Sequence, residues 1–369
     1  MKNNKKVRIG CASAFWGDTS TAAKQLVEKG DLDYLVFDFL AEMTMSILAR
    51  AKLKDSDRGF AGDFLTQIEP LLPLIKQKGI KILTNAGGIN PISCRAMLER
   101  TTKKEGLDLK IAIVTGDDLF PELPSIEELG ITELDTGNPF PESCLSINAY
   151  LGAPGLVAAL EKNADIIITG RCVDSALVLA PLMHEFNWNQ SDYDLLASGS
   201  LAGHIIECGA QCTGGNFTDW KDIDGFDDMG FPIVEVESNG DFIVSKPRGT
   251  GGMVTFGTVA EQFLYEIGNP AEYILPDVVC DFTGVTINDF GKNLVHVSGA
   301  SGSPPTNQYK VSATFRDGYR VNGTLVIGGR DSGLKGEIIA NAIIKKVNNI
   351  LKEKGLDPLN ETSYDLIGT

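Results

Sequence analysis

The sequence predicts an α/β protein: a mostly parallel sheet with helices on both faces, followed by a smaller α+β part with antiparallel hairpins. Three observations carry this expectation. Short runs of Val, Ile, Leu and Phe recur through the first half, each ending in glycine or polar residues. Amphipathic stretches separate most of them. From about Phe231 the pattern changes to alternating segments joined by Asn-Gly and Asp-Gly turns.

The strand candidates, in order, are "KVRIG", "DYLVFDF", "IKILTNAGG", "LKIAIVTGDD" and "ADIIITGR". Continuous apolar runs of this length suit strands buried on both faces, as in parallel sheets. The helices between them are "TSTAAKQLVEKG", "MTMSILARAKL", "GDFLTQIEPLLPLIKQKG", "PISCRAMLERTTKKEG" and "AYLGAPGLVAALEKN". The first is expected to start near Asp18 or Thr19. Gly30, Gly79 and Gly106 stand where C-terminal caps belong. Right-handed crossovers would put all the strand C-termini on one edge. In the second half, "FPIVEVESNGDFIVSKPRGTGG" reads as one hairpin and "YKVSATFRDGYRVNGTLVIGG" as another, turning at Asp317-Gly318. A helix from about Gly257 and a long amphipathic helix, "GLKGEIIANAIIKKVNNILKEKG", complete the pattern. Two domains follow, 1–220 and 221–369.

Composition narrows the function classes. Of 369 residues, 43% are apolar, enough for a substantial core, and the formal charge is −16. A surface that acidic repels phosphate backbones, and the densest basic runs, "KNNKK" and "TTKKEG", read as solvated faces, so nucleic acid is not an expected partner. No apolar run approaches the ~18 residues of a membrane span, and the N-terminus lacks a signal-peptide core, so no membrane partner and a cytoplasmic location are expected. The seven cysteines are odd in number and scattered, which suits reduced thiols.

In an open α/β sheet, ligands bind outside the carboxyl ends of the strands. Here those ends carry chemistry. The first opens into "GCASAFWGDTS", small residues that let a backbone approach a ligand. The second supplies Asp38, between two phenylalanines, with Glu42 nearby. The third supplies Asn85 before Gly87-Gly88, a turn able to expose backbone donors or simply to start a proline-led helix. The fourth supplies Asp117 and Asp118, and the fifth Arg171, Cys172 and Asp174. Any one of these fits a helix cap; as a set they favour a binding site. Asp38 and Asp174 are the acid/base candidates, with Asn85, Gly87, Gly88, Asp117 and Arg171 as substrate-binding candidates.

Two further groups stand apart from the strand ends. His204, Glu207 and Cys208 share one helical face in "LAGHIIECGAQCTGG", with Cys212 after a turn. They suit a second acid/base pair, a thiolate–imidazole pair or a satisfied helix histidine; a zinc site would want paired CxxC modules, so no metal is expected. Lys246 and Arg248 precede Thr250, Gly251 and Gly252, a combination of cations and flexible backbone that suits an anion, although the P-loop ending is absent.

Several long segments carry a resemblance: "ASAFWGDTS", "LDYLVFDFLAEMTMSILARA", "NAGGINP", "ADIIITGRCVDSALVLAPLMHEFNW", "LAGHIIECGAQCTGGNFTDW" and "KPRGTGGMVTFGTVAEQFLYEIGNPAEYILPDVVCDFTG". In this order, over nearly the whole chain, they resemble the acyclic terpene utilisation protein A family. The resemblance implies catabolism of citronellol- and geraniol-type compounds through branched acyl-CoA thioesters, and implies no catalytic residue. It also implies that longer relatives continue into a C-terminal domain. This chain stops at "SYDLIGT", so a final segment or a separate subunit is expected to complete it.

The combined expectation is a catabolic enzyme acting on a branched acyl-CoA or carboxylated metabolite by lyase- or hydratase-like acid/base chemistry. Its only implied cofactor is the coenzyme A moiety of the substrate, with phosphates held by Lys246, Arg248 and the 250–252 backbone. A homo-oligomer is compatible with the apolar C-terminal helix. A non-catalytic subunit or scaffold of a pathway complex is the alternative.

Overall fold

Along the short apolar runs, alternate side chains enter opposite layers of core. In Tyr34–Phe37, Tyr34 and Val36 join one hydrophobic cluster and Leu35 and Phe37 the other. Leu83 and Ile82 divide the same way, as do Ile167 and its neighbours Ile166 and Ile168. Burial of both faces fits a sheet covered on each side by helices, and a computed structural model, describing residues 5–368, has that architecture.

The elements run β1 (Lys6–Cys11), α1 (Ala22–Lys29), β2 (Tyr34–Phe37), α2 (Glu42–Lys54), α3 (Asp63–Ile68), α4 (Leu72–Lys78), β3 (Lys81–Thr84), α5 (Pro91–Lys104), β4 (Ile111–Val114) and α6 (Leu123–Glu128). They continue with β5 (Cys144–Ala149), α7 (Pro154–Glu161), β6 (Ile166–Thr169), α8 (Ala176–Phe186), α9 (Tyr193–Glu207), β7 (Ile233–Glu237), β8 (Phe242–Ser245) and α10 (Phe256–Leu264). The last are β9 (Tyr273–Ile274), β10 (Val279–Asp281), β11 (Thr286–Gly291), β12 (Leu294–Ser298), β13 (Ser301–Ser303), β14 (Val311–Phe315) and α11 (Ser332–Glu353). The first helix starts at Ala22, later than expected, because Asp18 turns back to accept the Ala14 N–H at 3.0 Å.

The main sheet has nine strands in the order β11-β12-β8-β7-β1-β2-β3-β6-β4. Its five members β1, β2, β3, β6 and β4 are parallel, as expected. β6 lies between β3 and β4, so the chain leaves β3, forms β4 one position further out, and returns to fill the gap. Leu26, Met45, Phe64, Ile75 and Leu98, from α1 to α5, pack on one face. Leu156, Leu177, Leu201 and Val259, from α7 to α10, pack on the other.

The second half departs from expectation in two places. The first hairpin forms, β7 with β8, but β7 also pairs antiparallel with β1 from Lys6–Glu237 to Gly10–Ile233. The antiparallel strands therefore extend the parallel sheet across residues 220/221. The chain separates into compact units at 316/317. The second hairpin does not form. β14 pairs with β5, a strand hidden in the sequence, and residues 316–331 have no strand. Backbone pairing at a distance outweighed the local Asp-Gly turn signal. The smaller unit, 317–369, is built on α11. There the chain end folds back along the helix, with Leu366 against Gly336 and Tyr364 hydroxyl 3.3 Å from the Asn341 amide.

Candidate active site

The C-terminal ends of the parallel strands assemble the site. Phe37 and Phe39 stack 5.8 Å apart with Phe64 edge-on to both, and Asp38 between them belongs to the other side of the chain. Asp38 is 4% exposed. Its carboxylate accepts the Asn85 amide at 2.6 Å and the Leu40 N–H at 3.3 Å, while Asn85 Oδ1 accepts the Phe39 N–H at 2.8 Å. The ends of β2 and β3 are thus locked together. Burial pushes the Asp38 carboxyl well above the usual carboxylate range; the charge of Asp174 adds to this, and Arg171 and the Asn85 amide oppose it.

Because β6 sits between β3 and β4, Arg171 arrives between Asn85 and Asp117. Asp117 accepts the Arg171 N–H at 2.8 Å and the Asn148 amide at 2.9 Å. Gly170 permits this: a Cβ there would lie 2.3 Å from an Asp117 oxygen. The guanidinium, in a residue 3% exposed, uses Nη1 on the Cys172 carbonyl at 3.0 Å and on Asp174 at 2.6 Å. Arg171 Cζ lies 4.1 Å from the centroid of the Tyr150 ring, and Lys310 Nζ lies 4.8 Å from it. Tyr150 hydroxyl donates to Glu42, which also meets Lys310 at 3.4 Å. Burial alone would lower the Arg171 pKa, but Asp174, Tyr150 and Asp38 more than offset it. Arg171 Nε, buried, has no hydrogen-bond partner among the described residues. Buried N–H donors are ordinarily paired, which sets this one apart.

The helical pair joins the same cluster through a close approach. A Cβ on Gly203 would lie 2.7 Å from Ser175 Cα, so α9 presses directly on the turn that carries Arg171 and Asp174. That contact brings His204 and Glu207 alongside. His204 Nδ1 lies 2.9 Å from Glu207 Oε1, and Gln262 from α10 holds the His204 carbonyl at 2.9 Å. Burial pushes Glu207 up to about 7, with His204 opposing and Asp174 adding to the rise. Burial would lower the His204 pKa, but Glu207 outweighs it and raises it. His204 Nε2 is buried with no partner among the described residues. Both groups thus hold a proton more tightly than they would in water, and the histidine nitrogen opposite Glu207 is left without a partner among the described residues.

Cysteine chemistry is not favoured here. Burial, then Glu207, push the Cys208 thiol up, and burial does the same to Cys11, Cys172 and Cys212. Cys208 is therefore a thiol, not the thiolate partner of His204. Cys212 Sγ turns to the Gly209 carbonyl, and among the described residues no three His, Cys, Asp or Glu side chains are disposed to hold a metal ion.

The glycine-rich candidates have other occupations. Gly87 and Gly88 are buried; Cβ atoms there would lie 2.5 Å from the Thr169 carbonyl and 2.4 Å from Leu48. Their lack of side chains lets the turn pack closely against β6 and α2. In the 246–252 loop, the Gly251 and Gly252 N–H groups donate to the Asp228 and Asp224 carbonyls at 2.7 and 2.8 Å. Lys246 Nζ bonds the Thr250 carbonyl at 2.7 Å, and the Thr250 hydroxyl bonds the Pro247 carbonyl at 2.7 Å. Lys246, Arg248, Thr250, Gly251 and Gly252 line a cavity of about 1140 Å³, and no member of the Asp38–Arg171–Glu207 cluster lines it. Sequence reasoning did not identify Tyr150, Gln262 or Lys310. Tyr150 directly follows the hidden strand β5, and its stacking on Arg171 has no local signature.

No curated protein and no solved structure matches the chain. A family model does: that of the acyclic terpene utilisation family protein AtuA matches residues 7–369, the breadth that the quoted segments anticipated. With the match running through every strand end just described, the chain belongs to the acyclic terpene utilisation AtuA family.

Proposed function

We propose that the strand-end cluster is the active site of an enzyme that moves protons on a branched carboxylate or acyl thioester during acyclic terpene utilisation. The reaction class is elimination or addition next to a carbonyl, as in a lyase or hydratase. One observation carries the reading: a buried acid raised well above the usual carboxylate range, a histidine–carboxylate pair and a partly unpartnered guanidinium occupy one buried edge. Arg171 would receive the substrate oxygen through Nε, where an anionic or enolate-like oxygen finds a charge-assisted donor. His204, its other nitrogen held by Glu207, would take the proton from carbon. Asp38, kept protonated by burial, would deliver a proton to the departing hydroxyl, or take one back in the reverse direction. Asp174 holds the guanidinium in place.

The test is proton exchange. Branched carboxylic acids and their coenzyme A thioesters are incubated with the protein in D2O, and loss of the signal of the hydrogen next to the carbonyl is followed by NMR. Exchange that disappears in His204→Gln while binding persists supports the assignment. Absence of both binding and exchange across the whole series, together with a stable complex with another pathway protein, supports the non-catalytic subunit instead.

A further inference from the structure

The cavity beside the 246–252 loop has a chemistry of its own. Five of its twenty lining residues, Arg8, Lys29, Lys246, Arg248 and Lys292, are cationic, against 33 of 369 in a chain of net charge −16. Arg8 is neutralised by Glu235 at 2.7 Å. The other four form no salt bridge among the described residues. Lys246 is half-buried and fixed by its two contacts with Thr250, so its charge is held in place and not swept through solvent. Burial lowers its pKa, Asp228 opposes this, and the ammonium of Lys292 is close enough to lower it further. Cations gathered this way repel one another until an anion enters between them.

We propose that this cavity binds a phosphate-bearing organic anion of nucleotide size, at a site separate from the strand-end cluster. The Gly251 and Gly252 amides are already committed, so the side-chain cations carry the main recognition. The volume, about 1140 Å³, exceeds what inorganic phosphate would fill and lies just above the roughly 300–1,000 Å³ of ordinary small-molecule pockets. Asp31, Asp222 and Asp224 also line it. Carboxylates beside cations fit a ligand that carries hydroxyl or amino donors as well as phosphates, which favours a nucleotide portion over a bare polyphosphate.

Calorimetric titration tests it with ADP, inorganic pyrophosphate and adenosine at low and high ionic strength. ADP is expected to bind, pyrophosphate to bind more weakly, and adenosine not to bind. Raising the salt should weaken ADP binding, as expected for charge recognition. Arg248 and Lys292 are exposed, so the double variant R248E/K292E keeps its fold, checked by circular dichroism. It should lower ADP affinity by about tenfold or more. Arg171→Ala should leave ADP affinity unchanged, which separates this site from the proposed catalytic one. The proposal is overturned by no binding of either phosphate compound, by ADP binding that survives R248E/K292E, or by equal loss in Arg171→Ala.

Discussion

Arg171 does more of the structural work at the site than its sequence position suggests. Its backbone holds Asp117, its Nη1 holds Asp174, and its face lies against Tyr150. Arg171→Lys keeps the charge but loses the planar fork and the Nε donor. Carboxylate affinity should fall by about tenfold, read by calorimetry. Arg171→Ala should in addition lower unfolding free energy by about 2 kcal/mol in urea, below the full figure for a broken buried pair because Asp174 is partly solvated. The Glu207–His204 pair predicts a pH effect. Glu207 ordinarily titrates at 4.5 and in the fold at about 7, so the folded state binds more protons than the unfolded state across that interval. Its contribution is fully present below pH 4.5 and is lost as pH rises through 7. His204, also raised, acts in the same direction. Glu207→Gln should therefore flatten the decline in stability over this window, by an amount on the order of 3 kcal/mol, measured by urea melts across pH. Asp38, Asn85, Asp117, Arg171 and Asp174 were legible because polar residues ending apolar runs are conspicuous. Tyr150 was not, since a tyrosine after an unrecognised strand carries no such contrast.

Among the elements, α9 depends on one residue without a side chain. Gly203→Ala would place a methyl 2.7 Å from Ser175 Cα, a backbone atom that cannot rotate away. Stability should drop by about 1–3 kcal/mol, and carboxylate binding should weaken with it, because the same shift withdraws His204 and Glu207. Thermal melts together with the exchange assay would show both losses; a variant stable as wild type would mean that α9 does not rest on that turn. The five parallel strands were readable from composition alone, each being a Val- or Ile-rich run closed by Gly, Asp or Asn. β5 escaped because "CLSINA" follows "DTGNPFPES", whose prolines and glycine signal loop, and because its partner, β14, lies far along the chain. The turn at Asp317-Gly318 was misread for the complementary reason: turn chemistry is local, whereas the choice of strand partner is decided by the whole fold.

For the whole molecule, every residue of the cluster, from Asp38 to Lys310, falls within the unit ending at Arg316. Residues 316–331 are without helix or strand up to the start of α11 and are largely exposed. Limited trypsin digestion should cut first at Arg316, Arg320 or Arg330 and release an N-terminal fragment that still binds carboxylate, identified by mass spectrometry and calorimetry. First cleavage inside 5–315 would contradict this division. No helix among the described residues is long and apolar enough to cross a membrane.

The pairing of β5 with β14 bears on how the molecule comes into being. During synthesis the central parallel strands can gather early, yet β5 must wait for about half the polypeptide to emerge before its partner exists. Lys310, at the threshold of that partner, meets Tyr150 and Glu42 only then. A nascent chain would thus carry most of its polar machinery in place while one wall stood open, and competence would come late and all at once.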